Sequence, residues 1–336
     1  MVSRSLEERP AKGHDLKILV VRFSAIGDCV MAAWPVTAIR QNYPDAEIVW
    51  ACESRCGPVI DHKRLVTELS AFPRERWKRL RWSPMTWMEQ IRKYSSLRKH
   101  RFDLGMDFQG HSKTALCLRL ASPKRRFSAR ATDAFSKRLN PVHFHWDATR
   151  HEVDEYFRFL QTIEEFNPVE RPIVPDVSEG RSAIRAEIGA GSKLITIQTG
   201  AGADDKRYPI DRWERVAESF IDHGFTVGVL GGPSDPRLPA NGSVDWVGKL
   251  DLRGAIAAVA ESAVHLAGDT GTGHIAAAYG VPTVSIFGPT PSARFRPYSS
   301  TSVVLQRGTR TDSVEPSEVL SAAYALLPHH EPAISD

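Results

Sequence analysis

Short apolar runs alternate with amphipathic stretches along this chain, and the alternation occurs twice. In the first half the order is KILVVR (17–22), a helix from Asp28 to Tyr43, EIVWAC (47–52), a basic helical region, FDLGMDF (102–108) and a helix SKTALCLRLA (112–121). In the second half it is LITIQTG (194–200), a helix from Asp211, FTVGVLGG (225–232), a helix DLRGAIAAVAES (251–262), AVHLAGD (263–269), a helix from near Thr272, and PTVSIFG (282–288). Apolar runs this short are buried strands, and a helical period between successive strands demands crossover connections, hence parallel sheets covered on both faces. A chain of 336 residues exceeds what one hydrophobic core ordinarily serves. The stretch FNPVERPIVPDVSEG (166–180), broken by Pro168, Pro172 and Pro175, has no period and reads as a linker. The expectation is an α/β chain of two Rossmann-like domains, residues 1–170 and 171–336, with residues 1–16 as a flexible tail.

Composition narrows the classes of function. An apolar fraction of 42% and a charged fraction of 25% are those of a globular chain with ample core. The net charge of +4 suits anionic ligands without implying nucleic acid. Cys29, Cys52, Cys56 and Cys117 contain no C-x-x-C pair, and CESRC lacks the second pair of a common zinc site, so free thiols are expected. The opening MVSRSLEERPAKGHD has no apolar core of a secretory signal, and no run approaches the roughly 18 apolar residues of a spanning helix.

Ligands of open parallel sheets bind outside the carboxyl ends of the strands, and three unusual corners fall there. In SAIGD (24–28), Gly27 permits a sharp corner and Asp28 stands at a helix start. Two roles fit Asp28: a helix cap, which Asp favours, or a general base presented to the cleft. In TGAGADDKRYP (199–209), the small residues from Thr199 and Gly200 onward let a ligand approach the backbone, and Lys206 supplies a point charge suited to phosphate. In AGDTGTGHIAAAYGVP (267–282), a strand ends at Gly268. The next helix then aims the free amides around Thr270, Gly271 and Thr272 at the cleft, an anion site with Asp269 and His274 beside it. GTGHIA also matches G-x-G-x-x-A of the dinucleotide fingerprint, which raises a nicotinamide-dependent oxidoreductase. The acidic ribose partner expected about 20 residues later is missing from FGPTPSARFRP. GHSKT (110–114) lacks the Gly-Lys pair of a P-loop.

Taken in order, ILVVRFSAIGDCVMAAWPVTAIRQNYPDAEI, MDFQGHSKTALCLRLA, GAGADDKRYPIDRWERVAE and GDTGTGHIAAAYGVPTVSIFGPTPSARFRPY resemble the successive motifs of glycosyltransferase family 9, which includes the heptosyltransferases of lipopolysaccharide synthesis. The match runs over most of the chain. DFQGHSKTA and ADDKRYP are closer to heptosyltransferase I than to heptosyltransferase II, whereas QTGAG departs from the more hydroxyl-rich loop of some relatives. The resemblance implies a GT-B fold of two facing Rossmann-like domains, an acceptor-binding N-terminal one and a nucleotide-sugar-binding C-terminal one. It implies inverting transfer of heptose from ADP-L-glycero-D-manno-heptose onto the Kdo or heptosylated inner core of lipopolysaccharide, at the cytoplasmic face of the inner membrane, with no nucleic acid as partner.

By the same resemblance Asp28 is the general base. Lys206 and the amides around Thr270, Gly271 and Thr272 stabilise the departing diphosphate; Asp269 reads donor hydroxyls and His274 lies near the phosphates. No metal is then needed, and the chain has no D-x-D motif. Lys113 and Arg125, the latter in the basic cluster SPKRRFSARATDAFSKR (122–138), are the candidates for the acceptor's anionic groups. The stretch 73–101, rich in Arg and Lys with Trp77, Trp82 and Trp87 interleaved, fits either an anionic membrane surface or a solvated basic face with packed tryptophans. A noncatalytic sugar-nucleotide-binding protein on the same fold remains the other alternative, because a fold alone does not fix function.

Overall fold

The computed structural model describes residues 16–140 and 144–327. The expected tail at residues 1–15 lies outside them. Leu16 is not part of a tail: it is buried, and its carbonyl accepts the Glu47 N–H at 2.9 Å.

The first half of the chain contains β1 (Lys17–Val21), α1 (Ile26–Asn42), β2 (Glu47–Glu53), β3 (Glu68–Phe72), α2 (Arg74–Arg79), α3 (Pro84–Ser96), β4 (Leu104–Asp107), α4 (Ser112–Ala121), β5 (Arg125–Ser128), α5 (Ala134–Leu139) and α6 (Glu152–Gln161). Its sheet has the order β3-β2-β1-β4-β5, with every pair parallel. The second half contains α7 (Ser178–Ile188), β6 (Leu194–Gln198), α8 (Ile210–Asp222), β7 (Thr226–Leu230), β8 (Val244–Asp245), α9 (Leu252–Glu261), β9 (Val264–Gly268), α10 (Gly271–Tyr279), β10 (Thr283–Phe287), α11 (Ser292–Phe295), β11 (Ser302–Gln306) and α12 (Pro316–Leu326). Its sheet, β11-β10-β9-β6-β7-β8, is again all parallel. In chain order each sheet starts in the middle, runs to one edge, then crosses back over, between β1 and β4 and between β6 and β9. Each such reversal opens a crevice at the carboxyl edge.

The chain resolves into two compact units. Among the described residues, one comprises 16–24, 32–140, 144–147 and 155–173, the other 25–31, 148–154 and 174–327. The break after Ile173 falls inside the proline-rich stretch, while α7 begins at Ser178. A single boundary does not describe the partition, because the first turn of α1 and the segment 148–154 cluster with the second unit. The latter segment is tied down by the buried Glu152, which pairs with Arg294, and by His151 Nε2, 2.8 Å from the Arg296 carbonyl.

Four strands have no clear signal in the sequence. β3, β5 and β11 carry side chains that are mostly half-buried, and β8 is two residues long, so none presents the unbroken apolar run of a strand covered on both faces. The helix expected from Asp28 begins two residues earlier, at Ile26, and the one expected near Thr272 begins at Gly271.

The first sheet packs Leu19, Val21, Val49 and Ala51 against Phe72, Trp77 and Tyr94, and the second packs Ile195, Ile197, Val227 and Val229 against Trp213 and Phe220. Contacts in the second core leave no slack at Gly228 in β7, where a Cβ would lie 2.2 Å from Trp246 Cζ3. Trp246 is anchored in turn by its indole N–H, which donates to Glu187 at 2.9 Å. Gly228→Ala is therefore expected to overpack this strand and cost about 1–3 kcal/mol, read as a lower denaturation midpoint in urea.

Candidate functional site

In the second unit the site forms at the reversal between β6 and β9. β6 ends in a loop that carries Thr199, Gly200 and, on a single 3-10 turn, Lys206. β9 ends at Gly268 and leads through Asp269 and Thr270 into α10. The loops are joined by an ion pair, Lys206 Nζ to Asp269 Oδ2 at 2.7 Å, with Asp269 mostly buried. They also touch through the backbone, since a Cβ on Gly268 would meet the Lys206 carbonyl at 3.0 Å. The Thr270 and Thr272 hydroxyls lie 2.9 Å apart at the start of α10, where the first amides of the helix have no intrahelical acceptor.

The first turn of α1, which clusters with this unit, lies against the first turn of α10. A Cβ on Gly27 would sit 2.6 Å from His274 Cδ2, and one on Gly271 would sit 3.2 Å from the Gly27 nitrogen. A side chain at Gly27 would force His274 to shift, and one at Gly271 would be tight against the start of α1. The approach brings Asp28 into the field of His274, which Asp269 also faces. Burial holds the His274 imidazole down at about 4, with Asp269 and Asp28 opposing the shift and His151 adding to it, so the ring is neutral near pH 7. Its Nδ1 is buried with no hydrogen-bond partner among the described residues. Asp28 is the third residue of α1 and not the residue before it, and its Oδ2 accepts the Ala25 N–H at 2.8 Å. It thus closes the helix start from inside the first turn. Capping is part of what this carboxylate does, and the two roles left open by the sequence are compatible.

Thr199 and Gly200 hold the loop from beneath. The Thr199 hydroxyl donates to the Pro236 carbonyl at 2.7 Å, and Gly200 leaves room for Asp235, whose carboxylate would overlap any Cβ there. Asp235 Oδ2 accepts the Gly232 N–H at 2.7 Å within the loop after β7, and the bond from Thr199 to Pro236 ties that loop to the one after β6. Nothing in the sequence reading singled out Asp235; the available signal was G-G-P-S-D directly after a strand.

In the first unit the corresponding edge carries a polar cluster around Glu53, the last residue of β2, whose side chain is 1% exposed. Glu53 accepts the Ser24 hydroxyl at 3.1 Å, pairs with Lys113 Nζ at 3.2 Å and with Arg55 at 3.1 Å, and has Arg74 at 3.9 Å. Burial pushes its carboxyl up, but Lys113, Arg55 and Lys78 together bring it below the usual range, so it is ionised. Burial lowers the Lys113 ammonium, against the pull of Glu53. Arg125 does not join this group. It opens β5 at the amino edge of the sheet, paired in register with Leu104, and its guanidinium lies over Phe127 at 5.1 Å. Glu53, Arg55 and Arg74 were not anticipated, because charged residues at a strand end look in sequence like a solvated loop.

Behind this edge the carboxylate of Asp107, at the end of β4, accepts the Gln109 and Gly110 N–H groups at 2.8 and 2.9 Å, and Gln109 Oε1 accepts the Phe23 N–H at 3.0 Å. The DFQG turn is therefore a brace between the loops after β4 and β1. Among the described residues no group of three or more His, Cys, Asp and Glu converges as a metal site would require. GTGHIA opens α10 after the fourth strand of its sheet in chain order, whereas the dinucleotide fingerprint occupies the first strand-to-helix turn. That placement sets the oxidoreductase reading aside.

Two all-parallel Rossmann-type sheets, the second with a cationic, amide-lined corner at its reversal, define the GT-B class of glycosyltransferase folds. Solved structures agree: E. coli heptosyltransferase WaaC with ADP superposes with a TM-score of 0.77 at 19% identity, covering 93% of this chain and 100% of that one. E. coli ADP-heptose heptosyltransferase II gives 0.75 at 21% identity, covering 93% and 98%. The family model for glycosyltransferase family 9 (heptosyltransferase) matches residues 91–320, and the chain belongs to that family. Among characterised relatives, lipopolysaccharide heptosyltransferase 1 of Pseudomonas aeruginosa is 27% identical over 82% of this chain and 79% of its own. Lipopolysaccharide heptosyltransferase 2 of Salmonella typhimurium is 24% identical over 82% and 83%.

Asp107 gives this edge a measurable signature. Full burial raises its carboxyl to about 6, against the two N–H donors, which lower it. A carboxyl raised in the folded state holds a proton that the unfolded chain has lost, so stability is fully present near pH 4 and falls as pH rises through 6. Asp107→Asn removes that titration. Urea unfolding between pH 4.5 and 7.5 is expected to show a loss on the order of 2 kcal/mol in the wild type that the variant lacks.

Proposed function

We propose that this glycosyltransferase moves heptose from ADP-L-glycero-D-manno-heptose onto the Kdo or heptosylated inner core of lipopolysaccharide, with inversion and without a metal. The observation that carries the reading is the convergence of Asp28, Asp269, Lys206 and the open amides of α10 around buried His274. A diphosphate suits this corner. The Lys206 ammonium has three N–H donors and spends one on Asp269, so it can also donate to a phosphate oxygen, beside the positive end of the helix dipole. The acceptor hydroxyl attacks the anomeric carbon as the bond from that carbon to the diphosphate oxygen breaks. Asp28 takes the hydroxyl proton, and the charge released onto ADP is met by Lys206 and the amides around Thr270, Gly271 and Thr272. Asp269, already fixed by Lys206, is placed for donor hydroxyls. His274, neutral and buried, contributes shape and a hydrogen bond without charge.

The acceptor's carboxylates and phosphates fall to Lys113 in this reading, with Arg55 and Arg74 beside it. Arg125, at the opposite edge of the sheet, is a weaker candidate for the same anions. Because the acceptor is lipid-anchored, the enzyme works at the cytoplasmic face of the inner membrane. Similarity to both heptosyltransferases 1 and 2 leaves the acceptor to be chosen by experiment.

Mass spectrometry of Kdo-lipid A, with or without a first heptose, after incubation with the protein, ADP-heptose and EDTA is expected to show one heptose added to one of the two acceptors. Absence of any gain on both would remove this donor and acceptor pair. Asp28→Asn keeps an oxygen for the Ala25 N–H, so it is expected to cost less than about 1 kcal/mol of stability while lowering turnover by about 100- to 10,000-fold. Lys206→Ala is expected to lower turnover by about 100- to 1,000-fold, with little change in acceptor KM.

A further inference from the structure

Helix α3 is built inside out. The residues it buries are Thr86, Gln90 and Tyr94, whereas Met85, Met88 and Ile91, an apolar stripe at helical spacing, point into solvent at 75%, 62% and 47% exposure. A helix ordinarily turns such a stripe to the core. Around it stand Leu80 and Trp82 in the turn between α2 and α3, with Trp82 85% exposed, and Trp87, half-exposed, whose indole N–H donates to the Arg81 carbonyl at 2.9 Å. These six are all but one of the large apolar side chains exposed among the described residues; the other is Phe135. Trp77, which the sequence groups with Trp82 and Trp87, is instead buried, stacked on Phe72 and set edge-on to Tyr94. It roots the hairpin and leaves the contact surface to the other side chains.

The surroundings identify what covers this surface. Lys78, Arg79, Arg81 and Arg92 are exposed around it, and Arg79, Arg81 and Arg92 have no carboxylate partner among the described residues. Glu89 is taken up by Arg76 and Lys93. A second copy of the chain would set like charge against like, and a neutral apolar partner would strand the guanidinium groups. A bilayer bearing anionic headgroups satisfies both components: indole and thioether side chains at the depth of the headgroups and upper acyl chains, cations on the lipid phosphates.

We propose that the hairpin of α2 and α3 is a membrane-docking surface that inserts Leu80, Trp82, Met85, Trp87, Met88 and Ile91 into an anionic lipid interface. It springs from the carboxyl end of β3, on the sheet edge that also carries Glu53 and Lys113. Docking there holds that edge at the lipid surface. The inference does not depend on which sugar is transferred.

The test is sedimentation of the full-length protein with vesicles of phosphatidylcholine alone or with phosphatidylglycerol, without donor or acceptor. Binding is expected only with phosphatidylglycerol, and salt should weaken it. Trp82→Ser with Met88→Ser, and separately Arg79→Glu with Arg92→Glu, are each expected to reduce partitioning by about tenfold or more, with thermal midpoints unchanged because the side chains are exposed. Quenching of tryptophan fluorescence by bromolipid should weaken in Trp82→Phe. Equal binding by wild type and variants would overturn the proposal. So would absence of vesicle binding together with a concentration-dependent dimer that the Trp82 and Met88 substitutions abolish, which would assign the face to a second copy. Transfer to a deacylated, water-soluble acceptor separates the two questions: it should be unchanged in these variants, and its failure in the wild type would count against the enzymatic reading alone.

Discussion

Every strand in both sheets runs the same way as its neighbours, and the rest of the molecule follows from that constraint. Parallel strands cannot be joined by tight turns, so each connection crosses a face and returns, and all carboxyl ends gather along one edge of the sheet. Where the order reverses, two adjacent strands send their connections to opposite faces and leave a crevice between them. In the second sheet that crevice lies between β6 and β9, and the Lys206–Asp269 ion pair spans it. In the first, the loops after β1 and β4 meet at the other reversal, joined by the hydrogen bond between Gln109 and the Phe23 amide.

The site is held by what its residues lack as much as by what they carry. Gly27 and Gly271 let two helix starts come within contact of each other, and Gly200 opens the space that Asp235 fills. These absences let the backbones and side chains of the corner pack at close range. Buried ionisable groups around them are handled in two ways. Glu53 stays charged because cations surround it, while His274 stays neutral because burial outweighs the two nearby carboxylates.

Much of the fold was legible because buried parallel strands are written as uninterrupted apolar runs. KILVVR, EIVWAC, LITIQTG and AVHLAGD are of that kind, and each proved to be a strand. β3, β5 and β11 were not legible, since a half-buried edge strand such as RRFS or SVVLQ offers no such run. The donor-side candidates stood out because glycine-rich corners between a strand and a helix carry their own punctuation. Glu53 and Asp235 did not, as their roles arise from residues distant in the chain, Lys113 for one and Gly200 for the other.

The sequence by itself determined the alternation of strand and helix, the number of sheets, the family, and the corners at which small residues and charges meet, because each of these is a local pattern of a few neighbouring residues. The tertiary structure alone decided that Asp28 closes its own helix from the third position, that the turns holding Asp28 and His274 pack together, and that Arg125 stands at the opposite edge from Lys113. It also decided that the apolar stripe of α3 faces outward. Periodicity records that a helix has an apolar side, but which side meets the core depends on what the neighbouring elements leave uncovered.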